Sequence, residues 1–122
     1  LASLQVSKGG KTGISIFSSR KYTLPFELSL MERHPLGSQC FIPMSVEPFL
    51  VIVSPDKNGR PERPSAFITN GQQGINYKQN VWHSVLTPLG EKNLFAVIDR
   101  IGSGKNVEEF IFGKPWIVKL NR

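Results

Sequence analysis

The sequence predicts an all-β domain, and three of its features support this prediction. Apolar and polar residues alternate with a period of two around Phe26, Leu28 and Leu30, as in a strand with one buried face. Short runs of β-branched and aromatic residues recur along the whole chain. Eleven glycines and nine prolines interrupt the chain, and no stretch carries an apolar stripe at helical spacing. Many short strands of this kind are typical of a β-sandwich or a β-barrel.

The apolar runs give the expected strands in chain order. They cover residues 13–17, 26–30, 39–42, 49–53, 66–69, 74–77, 82–86, 94–98 and 116–120. Turns containing Gly or Pro separate them, at 9–10, 34–37, 55–59, 70–71, 88–90 and 102–104. The stretch 106–112 carries two adjacent glutamates and fits either a short helix or a strand.

Size and composition favour a single domain over residues 1–122. The chain begins with Leu1 rather than Met, so we expect that an N-terminal segment is missing. The longest apolar run, 49–53, is too short to cross a membrane, and we expect no membrane partner. Cys40 is the single cysteine, which excludes an intramolecular disulfide and favours the reducing cytoplasm. Its apolar neighbours predict that Cys40 lies in the core.

The net charge of +6 comes from 15 basic and 9 acidic residues that are scattered along the chain. The densest basic groups are Arg20–Lys21 and the stretch 60–63, and a proline and an acid interrupt the second. Nucleic-acid-binding domains usually concentrate basic residues on one face, so we predict a solvated basic surface and no nucleic-acid partner. A small carboxylate remains a candidate ligand for such a surface.

The two histidines of the sequence, His34 and His83, lie 49 residues apart, each at the boundary of an expected strand. A closed sheet can bring such distant side chains into one cavity, because alternate side chains point inward. Two imidazoles and an oxygen from Gln39 or Glu32 could then bind a divalent metal. The alternative is that both histidines are unrelated structural residues, since neither has a local partner motif.

Three segments of the chain closely resemble one protein family. They are ERHPLGSQCFIPM at 32–44, AFITNGQQGINYKQNVWH at 66–83 and FAVIDR at 95–100. The likeness extends from about Ser15 to Glu109, and the first two segments are long and specific. On these residues the chain is identified as a member of the ureidoglycolate lyase family of allantoin degradation.

The resemblance implies a cupin-like antiparallel β-barrel, or double-stranded β-helix (jelly roll), that forms homodimers. It implies cleavage of (S)-ureidoglycolate to glyoxylate and urea, with a small carboxylate as substrate. Similar proteins are in some cases stimulated by nickel. Since the sequence offers only two histidines and no evident third strong ligand, we expect that no metal is required. If Ni²⁺ or another divalent cation binds, His34 and His83 are the expected ligands.

Cleavage of this substrate needs a general base for the hydroxyl and a general acid for the leaving nitrogen. We predict a catalytic role for three residues that can exchange a proton or hold the carboxylate, namely His83, Lys78 and His34. His83 is the first choice as acid or base because an unperturbed imidazole titrates near neutral pH, and Lys78 is the expected carboxylate ligand. Four polar residues are predicted to bind substrate: Asn76, Gln39, Tyr77 and Glu32.

Two alternatives to this function stay open at the level of sequence. The domain could be a cupin-like module that binds a small carboxylate without converting it. It could also be a degenerate lyase, because the resembling proteins are longer and many carry a second histidine where Ser84 stands here. An assay of glyoxylate and urea release distinguishes these alternatives from an active enzyme.

Overall fold

The computed structural model describes residues 1–121 and confirms the all-β prediction. Twelve strands make up the fold, and these residues contain no helix. A membrane-crossing helix is accordingly not found among them. The strands are β1 Lys11–Ser18, β2 Phe26–Arg33, β3 Gln39–Pro43, β4 Phe49–Ser54, β5 Asp56–Lys57, β6 Arg60–Pro61, β7 Ser65–Ile68, β8 Ile75–Tyr77, β9 Trp82–His83, β10 Thr87–Pro88, β11 Leu94–Ile101 and β12 Glu108–Val118.

The strands form two antiparallel sheets and a small hairpin. The first sheet has the order β1-β11-β3-β8. The second has the order β10-β4-β9-β2-β12, with β7 also paired to β4, and β5 pairs with β6 in the hairpin. Strands distant in sequence are therefore neighbours, as in the antiparallel jelly-roll architecture that the resemblance implies.

The main core lies between the two sheets. It combines inward-facing residues of β3, β8 and β11 in the first sheet with residues of β4 in the second: Phe41, Phe49, Val51, Tyr77, Phe95 and Val97. Because side chains alternate along a strand, the intervening residues of β4 point to the other face of the second sheet. There they form a second cluster with residues of β2 and β9: Leu28, Met31, Leu50, Ile52 and Trp82.

The structure answers two questions that the sequence raised, on the 106–112 stretch and on the position of Cys40. The 106–112 stretch is not helical, because Glu108 begins the long strand β12, which pairs with β2. Cys40 is only half-buried, so its expected place in the core is wrong. It alternates with the buried Gln39 and Phe41 on β3 and therefore lies on the outer face of the first sheet.

Candidate active site

Polar side chains from the two sheets meet at one end of the core. In the second sheet, Glu32 on β2 is the cross-strand partner of His83 on β9. In the first sheet, Gln39 on β3 is paired with Tyr77 on β8 and with Asp99 on β11. Cross-strand partners share one face of a sheet, so these two polar rows point toward each other. The ring of Tyr77 stacks on the ring of His83, with centroids 4.0 Å apart and an interplanar angle of 8°.

His34 follows β2 directly and is held through both of its ring nitrogens. Its Nδ1 lies 2.8 Å from the main-chain oxygen of Asn106, and its Nε2 lies 3.0 Å from Oε1 of Gln39. A carbonyl oxygen only accepts hydrogen bonds, so Nδ1 carries a hydrogen. Nε2 also lies 3.9 Å from Oε1 of Glu32, within reach of an ion pair when the ring is charged.

His83 is almost completely enclosed, with 1% of its surface exposed. Its Nδ1 donates to the main-chain oxygen of Ser84 at 2.8 Å, while its Nε2 is buried without a hydrogen-bond partner. Burial, aided by the nearby His34, lowers the pKa of His83 to about 4. His83 is therefore a neutral ring at neutral pH, in contrast to the expectation of an ordinary imidazole pKa.

Glu32 brings this cluster into contact with solvent. Its side chain is 22% exposed. Burial raises the pKa of the Glu32 carboxyl, the nearby His34 opposes this shift and the charge of Glu109 adds to it. Glu32 and Gln39 line a cavity of about 380 Å³. The rest of this cavity is formed by Phe17, Ser18, Ser19, Tyr22, Phe41, Val85 and Leu86. His34 and His83 are not among the lining residues, and His34 is linked to the cavity through its contact with Gln39.

The donor atoms of Glu32, His34 and His83 all lie within 4.8 Å of one another. Two imidazoles and a carboxylate are a donor set that suits nickel or zinc. The free Nε2 of His83 and the carbonyl partners of both Nδ1 atoms fit such a site, because metal-binding histidines usually donate from their other nitrogen. Binding through His34, however, would break its contact with Gln39.

The structure thus brings together five of the seven residues singled out from the sequence: Glu32, His34, Gln39, Tyr77 and His83. Lys78 and Asn76 lie outside this group, because they alternate with the inward-facing Tyr77. Lys78 is exposed, and Asn76 donates from Nδ2 to the main-chain oxygen of Ser3 at 3.2 Å. Their roles toward the substrate stay predictions.

Sequence reasoning missed two residues that support the site, Asp99 and Asn106. Asp99 accepts a hydrogen bond from Nε2 of Gln39 at 3.1 Å, and Asn106 supplies the carbonyl partner of His34. The alternation of Phe95, Val97 and Asp99 along one run was a signal that Asp99 faces inward. No comparable signal marks Asn106, because it contacts His34 through its main chain.

A second and larger cavity, of about 590 Å³, lies between the β5–β6 hairpin and β12. Arg60, Arg63 and the aromatic residues Phe110, Phe112 and Trp116 contribute to its lining. It contains no histidine, and Glu62 is its single carboxylate among the lining residues. The acid–base groups described above are therefore associated with the smaller cavity.

Comparisons of the sequence with known proteins show the family. The family model described as ureidoglycolate lyase matches residues 1–119. A ureidoglycolate lyase of Chelativorans sp. (strain BNC1) is 50% identical over 119 residues, which are 95% of this chain and 72% of that protein. A ureidoglycolate lyase of Rhodobacter capsulatus is 47% identical over 119 residues, which are 98% of this chain and 74% of that protein. Ureidoglycolate lyase 2 of Rhizobium meliloti (strain 1021) is 51% identical over 109 residues, which are 89% of this chain and 67% of that protein.

Proposed function

Because the chain belongs to the ureidoglycolate lyase family, we propose that it cleaves (S)-ureidoglycolate to glyoxylate and urea at the Glu32–His34–His83 cluster. The observation that carries this proposal is the convergence of these three groups, with donor atoms within 4.8 Å, next to a cavity lined by Glu32. Elimination of a carbinolamide requires an acid and a base at neighbouring positions, and this cluster supplies both.

The reaction moves one proton off the substrate and one onto it. As the hydroxyl loses its proton, its oxygen forms the new C=O bond of glyoxylate and the C–N bond breaks. The urea nitrogen leaves with the bonding electron pair and is protonated. We assign the base to Glu32, which faces the cavity and whose raised pKa makes it a better proton acceptor once ionised.

The acid in this scheme is His34. Its Nε2 faces Oε1 of Gln39 and lies 3.9 Å from Oε1 of Glu32, so a hydrogen on Nε2 lies next to two residues that line the cavity. His83 has a pKa of about 4 and supports the cluster as a neutral, stacked ring rather than as a proton donor. The amide of Gln39 lines the cavity and is available to the urea group.

Three hydroxyl-bearing residues of the cavity lining offer the substrate carboxylate a binding surface. Ser18, Ser19 and Tyr22 line the cavity together with Glu32. Lys78, the residue expected to bind this carboxylate, is exposed and is not among the lining residues. Its contribution to substrate binding is part of the proposal that substitution has to test.

The test is a comparison of glyoxylate and urea release with the spontaneous rate, using racemic ureidoglycolate. An active enzyme consumes half of the substrate rapidly and produces the two products in equal amounts. Binding of the substrate without acceleration would instead favour the non-catalytic module. The Glu32→Gln variant provides the control, because it keeps the shape of the side chain and removes the base.

A divalent cation such as Ni²⁺ would be held by Glu32, His34 and His83, and when bound it would polarise the substrate oxygen as a Lewis acid. We propose that activity does not depend on it, since Glu32 and His34 supply the base and the acid. Activity that survives dialysis against a chelator supports this proposal. A complete loss of activity that is restored only when Ni²⁺ is added would contradict it.

We also propose that the protein forms a homodimer in the cytoplasm. The outer isoleucine patch, defined as Ile14, Ile16, Ile42, Ala96 and Ile98 on the first sheet, supports the dimer. The unpaired Cys40 supports a reducing compartment. Cell fractionation tests the location, and the mass of the protein in solution tests the dimer.

A further inference from the structure

We propose that Asp99 is a positioning residue, which holds the side-chain amide of Gln39 with its oxygen toward His34. This inference rests on the proposed function, because it concerns how the acid–base cluster is kept in its productive arrangement. It adds to the site a residue that lies on a further strand, β11, and is not among the residues that line the cavity.

The contact between Asp99 and Gln39 is built into the pairing of two strands. Asp99 on β11 and Gln39 on β3 are cross-strand partners, and both side chains lie on the inner face of the first sheet. Nε2 of Gln39 donates to Oδ2 of Asp99 at 3.1 Å. Gln39 is buried, with 8% of its surface exposed, and Asp99 is half-buried, so the two groups are largely shielded from competing water.

A carboxylate accepts hydrogen bonds and cannot donate them, so it selects one orientation of a neighbouring amide. The NH₂ group of Gln39 has to face Asp99, and its oxygen is then directed to the other side. That oxygen lies 3.0 Å from Nε2 of His34. The rotated amide would place its oxygen against the Asp99 carboxylate, where two acceptors oppose each other.

The orientation of the Gln39 amide determines whether Nε2 of His34 donates or accepts a hydrogen bond. Next to an amide oxygen, Nε2 of His34 is the donor in their hydrogen bond. Next to an amide NH₂, the same nitrogen would be the acceptor and would no longer present a hydrogen to the leaving nitrogen. Asp99 therefore acts on the reaction through Gln39, at a distance of two hydrogen bonds from His34.

The test uses two substitutions of Asp99 in two backgrounds. Asp99→Leu removes the acceptor, and we expect kcat to fall by roughly 10- to 100-fold with KM changed by no more than about twofold. Asp99→Asn keeps the shape and one acceptor oxygen but no longer excludes the rotated amide, so we expect a smaller loss. In the Gln39→Ala background, Asp99→Leu should change kcat by less than about twofold, because the residue through which it acts is gone.

A purely structural role for Asp99 predicts the opposite result in that double variant, namely the same further loss as in the wild-type background. Such additivity would overturn the inference. So would a KM effect that accounts for the whole loss in kcat/KM, since orientation of an acid is expected to affect kcat. A comparison of melting temperatures separates these effects from a loss of folded protein.

A second readout does not depend on activity. In the wild type, the side-chain amide of Gln39 should give a nitrogen-15 NMR signal with one slowly exchanging, hydrogen-bonded proton, assigned by its absence in Gln39→Ala. Asp99→Leu should remove this protection. An unprotected amide in the wild type would refute the positioning role, whereas a protein with the protected amide but no lyase activity would refute the proposed function alone.

Discussion

Glu32 joins the buried cluster to the cavity, and its environment determines the pH range in which it can act as a base. Replacing it with glutamine should lower kcat by roughly 10²- to 10⁴-fold, because a positioned base contributes a factor of this size. Burial raises the pKa of Glu32, so in the wild type activity should fall with decreasing pH already above the ordinary glutamate range. Steady-state kinetics over a pH series measures both effects.

Glu109 provides a matched control for this experiment. It is the cross-strand partner of Glu32 on β12, it is exposed, and its charge helps to raise the pKa of Glu32. Glu109→Gln should therefore keep the maximal rate and move the acidic limb of the pH profile to lower pH. A profile that is identical in the wild type and Glu109→Gln, with full activity in Glu32→Gln, would remove Glu32 from the mechanism.

His83 predicts a pH dependence of stability. Its pKa is about 4 in the folded protein and 6.5 in the reference state, so the unfolded chain binds more protons between these values. Its contribution to the free energy of unfolding is thus complete above pH 6.5 and is lost as the pH falls toward 4. The difference between these two pKa values corresponds to a change of roughly 3 kcal/mol in the free energy of unfolding.

The nearby Glu32 has a raised pKa and contributes with the opposite sign, so the effect of His83 has to be isolated. His83→Asn keeps a donor toward the main chain of Ser84 and removes the titration. Denaturant unfolding of both proteins at several pH values gives the difference in free energy. We expect this difference to grow between pH 4 and 6.5, and a constant difference would contradict the burial argument.

At the scale of single elements, the local pattern of apolar and polar residues predicted the strands well, but it did not predict which strands pair with each other. The alternation at Phe26–Leu30 and the buried run at 49–53 became β2 and β4. The same alternation, applied to β8, separates Tyr77 from both Lys78 and Asn76, so the sequence contained the reason why these three side chains do not point to the same face of the sheet. Which strands pair depends on contacts between distant segments, which no local pattern encodes.

The end of β2 is tied to three other elements by Arg33. Its guanidinium lies over the ring of Trp82 at 4.4 Å and forms ion pairs of 2.9 Å with both Asp56 and Glu108. Trp82 in turn donates from its indole nitrogen to the same Asp56 oxygen at 2.9 Å. These contacts join β2 to β9, to β12 and to the small hairpin.

Arg33→Ala should lower the free energy of unfolding by about 2 kcal/mol, because the variant loses two ion pairs and a cation–π contact at once. Arg33→Lys should lose less stability than Arg33→Ala because it keeps the charge. It should still lose some, because it lacks the planar group that serves all three contacts. The side chain of Arg33 alternates with that of Glu32 and points away from the cavity, so kcat of the folded variant should be unchanged. Thermal unfolding and kinetics together check this, and a large loss of kcat without a change in melting temperature would contradict it.

At the scale of the whole molecule, the site exists only because two sheets face each other. Glu32 and His83 come from one sheet, and Gln39, Tyr77 and Asp99 from the other. The two histidines could be nominated from the sequence as a pair, but their burial and the resulting pKa of His83 depend on the packing of both sheets. The family resemblance pointed to the activity, and the register of the strands explains how these separate positions come to lie together.

The opposite face of the first sheet carries the patch that we propose as the dimer interface. Register places Ile14 beside Ile98 and Ile16 beside Ala96, next to Ile42 on β3, so the outer isoleucine patch is continuous across three strands. Ile14 is 76% exposed and Ile16 is 56% exposed, and a patch of this kind on the surface of an otherwise well-packed domain is typical of an interface.

We therefore expect the double variant Ile14→Lys/Ile16→Lys to be a folded monomer, because two charges on β1, within the patch, would have to be buried in a dimer. Ile117→Lys is the matched control, since Ile117 is 58% exposed but lies on β12 of the second sheet. Light scattering after size-exclusion chromatography gives the mass of each. If Ile117→Lys produces monomers while the double variant stays dimeric, the dimer interface lies on the second sheet, and a monomeric wild type would exclude the dimer altogether.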